Sequence, residues 1–146
     1  MQIERFIDTN ILLYGYDLDA PEKRALAIHW LERGWSEPGS TAISVQVLQE
    51  FVVNFVKAGH GLNEAKKVTD DFSLWHVVDL NLPLFKLGIT IQLRWKLSLW
   101  DAMIIAAAKT CGAPILLTED LNHGQDYDGV RVINPFMEGL WQGSKP

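Results

Sequence analysis

Cysteine is almost missing from this chain: Cys111 stands alone among 146 residues, so no intramolecular disulfide can form and a thiolate-rich zinc site is excluded. The expected compartment is a reducing cytoplasm. Basic excess is missing too. The formal net charge is -5, which withholds the broad positive footprint of a general nucleic-acid binder unless cations bridge two polyanions. No apolar run reaches membrane-spanning length, and Glu4 and Asp8 arrive too early for a secretory core, so a soluble protein with no membrane partner is expected. Repeats and low-complexity tracts are absent, and His29, His60 and His76 lack metal-ligand spacing.

What is present is a globular balance, 48% hydrophobic and 21% charged. The length suits one domain able to bury about two-thirds of its unfolded surface. We take residues 1–142 as that domain and 143–146 as a frayed tail.

Short apolar strands are predicted at 5–7, 41–43, 74–78, 115–117 and 130–133. Helices are predicted between them, at about 10–16, 22–33, 44–57, 62–73, 81–96 and 99–110. In the second of these, Ala25, Ile28 and Leu31, with Trp30 alongside, recur near helical spacing, and Gly34 is the expected stop. Ser44 is a candidate N-cap, Pro83 fits only a first turn, and Gly88 weakens the middle of its helix. A polar loop is expected from 118 through Gly129. Strand and helix alternate, and the strands are continuous apolar runs, which predicts a mostly parallel five-stranded sheet covered on both faces.

Such a sheet places its site at the carboxyl ends of its strands. Asp8 follows the first strand, and Glu119 and Asp120 follow the fourth. Helices returning across the sheet start at the same edge, which adds Asp101 from a first turn and Glu50 from a second. Two carboxylates about 5 Å apart repel by roughly 3 kcal/mol at an effective dielectric near 20, so four call for a cation. Oxygen-only donors suit Mg²⁺ or Mn²⁺, one ion or two. Each acid also has a plain structural role open to it. Asp8 can cap a helix, Asp101 fits a capping box with Ser98, Glu50 can face solvent, and Asp120 can be a turn residue.

The segments Phe6–Leu12 (FIDTNIL), Leu97–Ala107 (LSLWDAMIIAA), Leu116–Gly124 (LLTEDLNHG) and Val130–Phe136 (VRVINPF) resemble, in order and spacing, the motifs of PIN-domain ribonucleases of the VapC toxin type. That resemblance implies a three-layer α/β/α sandwich and a metal-dependent endoribonuclease acting as the toxin of a toxin–antitoxin pair. It implies Asp8 and Asp101 as principal metal ligands, Glu50 and Asp120 completing the quartet, and Asn10 and Thr118 in support. Glu119 rivals Asp120 for the fourth position.

The implied partners are a structured RNA such as a tRNA or ribosomal RNA loop, a second copy in a homodimer, and a cognate antitoxin. The antitoxin's C-terminal segment would cover the acidic pocket. Arg94, Lys96 and His123 are candidate RNA contacts, and Trp95 or Trp100 could offer a stacking face. Two other readings are open. A phosphatase with Asp8 as nucleophile wants a second acid at position 10, where the chain has Asn10; a silent PIN-like binding module would not need all four acids.

Overall fold

The computed structural model describes residues 2–137, so the expected tail at 143–146 and the end of the domain at 142 lie outside the described residues. The strands are β1 (Arg5–Ile7), β2 (Thr41–Ser44), β3 (His76–Val78), β4 (Ile115–Leu117), β5 (Asp126–Tyr127) and β6 (Val130–Ile133). The helices are α1 (Thr9–Tyr14), α2 (Pro21–Ser36), α3 (Val45–Lys57), α4 (Leu62–Phe72), α5 (Leu82–Trp95) and α6 (Leu99–Thr110).

The strands form one sheet in the order β3-β2-β1-β4-β6-β5, parallel except for the β5–β6 pair. The chain steps outward from β1 to β3 through α1–α4, then returns through α5 and α6 to β4 on the other side of β1. Right-handed crossovers running in opposite directions lay their helices on opposite faces, which gives three layers. Accordingly α3 packs on β2, α1 and α4, while α6 packs on β2, β4, β6 and α5. Phe6, Ile7, Ile43, Leu116 and Leu117 are fully buried between these layers.

Side-chain chemistry sets several boundaries. Ser44 caps α3 by accepting from the Val47 amide, Asn81 caps α5 from Leu84, and Ser98 caps α6 from Asp101. Residues Ala102–Ala108 of α6 are all buried, because the sheet lies on one side of the helix and α5 on the other. Gly88 permits that contact: a Cβ there would sit 2.2 Å from Met103 Sδ.

The sheet has six strands where five were expected. Asp128 and Gly129, both left-handed (φ 54° and 104°), close a two-residue hairpin that pairs Asp126–Tyr127 with β6 inside the expected loop. Leu74 and Trp75 precede β3 as a turn, and Leu74 is exposed. In α2 the buried face is Ala27, Trp30, Leu31 and Gly34; of the expected stripe, Trp30 and Leu31 belong to it, Ile28 is half-buried and Ala25 is exposed. Gly34 does not stop the helix; it admits the Trp75 ring, 2.5 Å from where its Cβ would be.

Candidate active site

The reversal of strand order falls between β1 and β4, and the register there brings the ends of the two strands together. Phe6 and Ile7 face Leu116 and Leu117, and the Asp8 amide donates to the Leu117 carbonyl at 3.0 Å. Asp8 and Thr118 are therefore neighbours one residue beyond their strands. The Thr118 hydroxyl donates to Asp8 Oδ2 at 2.8 Å and accepts from the Asp120 amide at 3.1 Å.

Asp8 is a helix cap that also lies within the electrostatic reach of two other acids. It is the N-cap of α1, and its Oδ1 accepts from the Thr9 amide at 2.7 Å. It is 5% exposed, and burial, reinforced by the charges of Asp120 and Glu50, pushes its pKa up to about 7 against the pull of Thr118 and Thr9. Asn10, in the first turn of α1, reaches over it. Its Nδ2 lies 3.5 Å from Asp8 Oδ2 and donates to Asp120 Oδ2 at 2.9 Å and Thr118 Oγ1 at 3.2 Å. One amide group thus joins two acids that are 112 residues apart in the chain.

Glu50 reaches back from the second turn of α3. Its Oε1 accepts from Thr9 Oγ1 at 2.9 Å and its Oε2 from Gln46 Nε2 at 3.2 Å. The buried Gln46 also donates to the Trp100 carbonyl at 3.2 Å, tying α3 to the first turn of α6, where Asp101 stands. Burial raises the Asp101 pKa, Ser98 opposes the rise, and the charges of Asp120 and Glu50 add to it. Asp8 and Asp101 therefore feel the same two acids, and all four occupy one rim.

Glu119 is turned elsewhere. Its carboxylate accepts from Tyr14 Oη at 2.8 Å and pairs with Lys23 Nζ at 3.0 Å. Of the candidate RNA contacts, Arg94 is paired with Asp128 at 2.9 Å, and His123 Nδ1 accepts from the Asn134 amide at 2.9 Å, anchoring its loop. Lys96 is exposed at the left-handed C-cap of α5. Trp95 packs edge-on against Tyr127, whereas Trp100, 66% exposed, stands beside Asp101.

Thr9 and Gln46 escaped the sequence reading. The i,i+4 spacing of Gln46 and Glu50 was a usable signal, since a glutamine one turn before an acid on a helix can reach it.

Among the described residues, no three His, Cys, Asp or Glu side chains form a ready-made metal cage. The donors are nonetheless carboxylate oxygens around a buried, like-charged centre. That set fits Mg²⁺ or Mn²⁺, which commonly keep several waters and take only one or two protein carboxylates. Among the described residues, no helix is long and apolar enough to cross a membrane.

The PIN domain family model matches residues 5–125. No curated protein matches the chain. Among solved structures, a toxin–antitoxin complex from Klebsiella pneumoniae is similar at 24% identity and a TM-score of 0.65, covering 91% of this chain and 98% of that one. A DNA-bound VapBC from Salmonella typhimurium is 18% identical with a TM-score of 0.66, covering 90% and 97%. VapC20 from Mycobacterium tuberculosis, a Sarcin-Ricin loop cleaving toxin, is 19% identical with a TM-score of 0.61, covering 77% and 87%. At these identities the likeness is one of fold, and the family follows from the match over most of the length: the chain belongs to the PIN domain family.

Proposed function

We propose that the chain is a divalent-metal-dependent endoribonuclease, the toxin of a toxin–antitoxin pair. The observation that carries the reading is the convergence of Asp8, Glu50, Asp101 and Asp120 on the rim between β1 and β4, where Asp120 and Glu50 act electrostatically on both other acids. Family membership and the fold shared with VapBC complexes and with VapC20 support it.

Asp8 and Asp101 would be the principal ligands of one or two Mg²⁺ or Mn²⁺ ions, with Glu50 and Asp120 assisting. The ion, when bound, supplies the Lewis acidity that lowers the pKa of a water and the charge that stabilises a phosphoryl group in transfer. The chain's own part is orientation. Thr118, the Thr9 amide and Asn10 fix Asp8, while Thr9 and Gln46 fix Glu50, so the acids meet the substrate in one arrangement. The reaction is hydrolysis of an RNA phosphodiester. Water attacks phosphorus in line with the 3′ oxygen, the P–O3′ bond breaks, and the products carry a 5′-phosphate and a 3′-hydroxyl.

Asn10 at the position where an aspartyl phosphatase needs its second acid disfavours phosphoryl transfer to Asp8. An intact quartet with its supporting amides and hydroxyls disfavours a silent binding module. The substrate is a structured RNA such as a tRNA or ribosomal RNA loop, and the partners are a cognate antitoxin and a second copy of the chain, in the cytoplasm. Incubation with structured RNAs, with and without Mg²⁺ or Mn²⁺, tests the reading: cleavage abolished by chelator and by Asp101→Asn supports it, and metal-independent cleavage contradicts it.

A further inference from the structure

Beyond the acids and the groups that bond to them, a second polar cluster grips the same segment from behind. Thr118 and Asp120 take part in the site, and Glu119 between them leaves it for Tyr14 and Lys23. Its two partners also bond to each other, Lys23 Nζ to Tyr14 Oη at 3.2 Å, so three side chains close a triangle. The ammonium is held over two rings as well, 4.8 Å from the Tyr14 centroid and 5.2 Å from that of Phe136, and those rings meet edge-on at 5.0 Å.

Asn10 and Tyr14 lie four residues apart on α1 and so share a face. From that face Asn10 holds Asp120 Oδ2 and the Glu119 amide, while Tyr14 holds the Glu119 carboxylate. Lys23, from the first turn of α2, brings a third element to the same point. Asp120 is the exposed member of the quartet and, among the described residues, has only Asn10 as a side-chain hydrogen-bond donor. Its placement depends on the backbone on either side of it.

We infer that Tyr14, Lys23 and Glu119 form a positioning tripod that fixes residues 118–120 and thereby aims Asp120 at the metal of the proposed nuclease site. Glu119 is then a positioning residue and not a rival ligand. The inference rests on the nuclease reading for the role of Asp120, but the anchoring itself can be measured without it.

Amide hydrogen exchange and Mn²⁺ affinity, the latter by electron paramagnetic resonance, would be compared in the parent, Lys23→Met, Tyr14→Phe and Lys23→Arg proteins without RNA. Lys23→Met keeps the aliphatic stem against the rings and removes only the ammonium. Lys23→Met and Tyr14→Phe are each expected to speed exchange at the Glu119 and Asp120 amides at least about fivefold and to weaken Mn²⁺ binding by about three- to tenfold. That is smaller than the about 10–100-fold expected for groups bonded directly to metal ligands, because the tripod acts on Asp120 through the backbone. Amides in α6 should not change, and Lys23→Arg should restore both readouts to within about twofold of the parent.

Unchanged exchange at Glu119 and Asp120 in both disrupting variants overturns the tripod, whatever the protein cleaves. Faster exchange with unchanged Mn²⁺ affinity overturns its role in aiming Asp120. A parent that neither binds Mn²⁺ nor cuts RNA removes the nuclease reading, and with it the aim at a metal, while exchange still decides the anchoring.

Discussion

Replacing Asp8 with asparagine should make the protein more stable at neutral pH even as it removes the proposed activity. Asp8 is 5% exposed, and burial with two neighbouring acids lifts its pKa from 3.8 to about 7. Between those values the folded chain keeps a proton that the unfolded chain has released. Stability from this group is therefore greatest below pH 3.8, falls as pH rises, and reaches its minimum above about pH 7. At about 1.4 kcal/mol per pH unit, the interval corresponds to about 4 kcal/mol of destabilisation at pH 8. Asparagine never ionises and so escapes that cost. It keeps an oxygen for the Thr9 amide, but its NH₂ faces Asn10 Nδ2 and a Thr118 hydroxyl that already accepts twice and now lacks an acceptor for its own proton, costing about 2 kcal/mol. Asp8→Asn should then exceed the parent by about 2 kcal/mol at pH 8, about 4–8 °C in Tm, and not at all at pH 4. Urea unfolding in chelator at both pH values measures it. Adding Mg²⁺ at pH 8 should stabilise the parent alone and narrow the gap. A variant equally or less stable than the parent at both pH values would refute the reasoning.

Several further outcomes follow from the same geometry. Asn10→Ala, Thr118→Val and Gln46→Ala, assayed for Mn²⁺ affinity and cleavage, should each lose about 10–100-fold. Gly88→Ala should cost about 1–3 kcal/mol in denaturant unfolding, since its Cβ would meet Met103 Sδ at 2.2 Å. Ser98→Ala removes the α6 cap beside Asp101 and should cost about 1 kcal/mol by the same measurement. Arg94→Ala breaks an exposed pair with Asp128 and should change stability by less than about 1 kcal/mol, so a large loss of RNA affinity in that variant would mark a direct contact.

The parts of this fold legible in the sequence were those fixed by local chemistry. Ser44, Asn81 and Ser98 announce helix starts because a short polar side chain satisfies a free amide, and all three do so. Phe6-Ile7 and Leu116-Leu117 announce central strands because only a doubly covered sheet buries such runs. Tertiary packing decided what was not legible. Trp75 inserts over Gly34, so a glycine that resembles a helix stop instead lies inside a helix that continues to Ser36. The Asp128-Gly129 turn was a hairpin signal, but Asp126–Tyr127 is too short to stand out as a strand. At the site, the strand-end rule reached the rim carrying all four acids, because topology alone sets it. It could not divide Glu119 from Asp120, which are adjacent in sequence. Their division depends on Asn10 to one side and on Tyr14 and Lys23 to the other, contacts that exist only once α1 and α2 are packed.

The central claim meets its most direct test in the ends left on a cut RNA. Purified protein incubated with structured RNA and Mg²⁺ or Mn²⁺ should yield fragments bearing 5′-phosphate and 3′-hydroxyl ends, and chelator, Asp8→Asn and Asp101→Asn should each abolish them. Fragments that persist in chelator or in both variants, or that carry 2′,3′-cyclic phosphates, would contradict hydrolysis at this acidic rim.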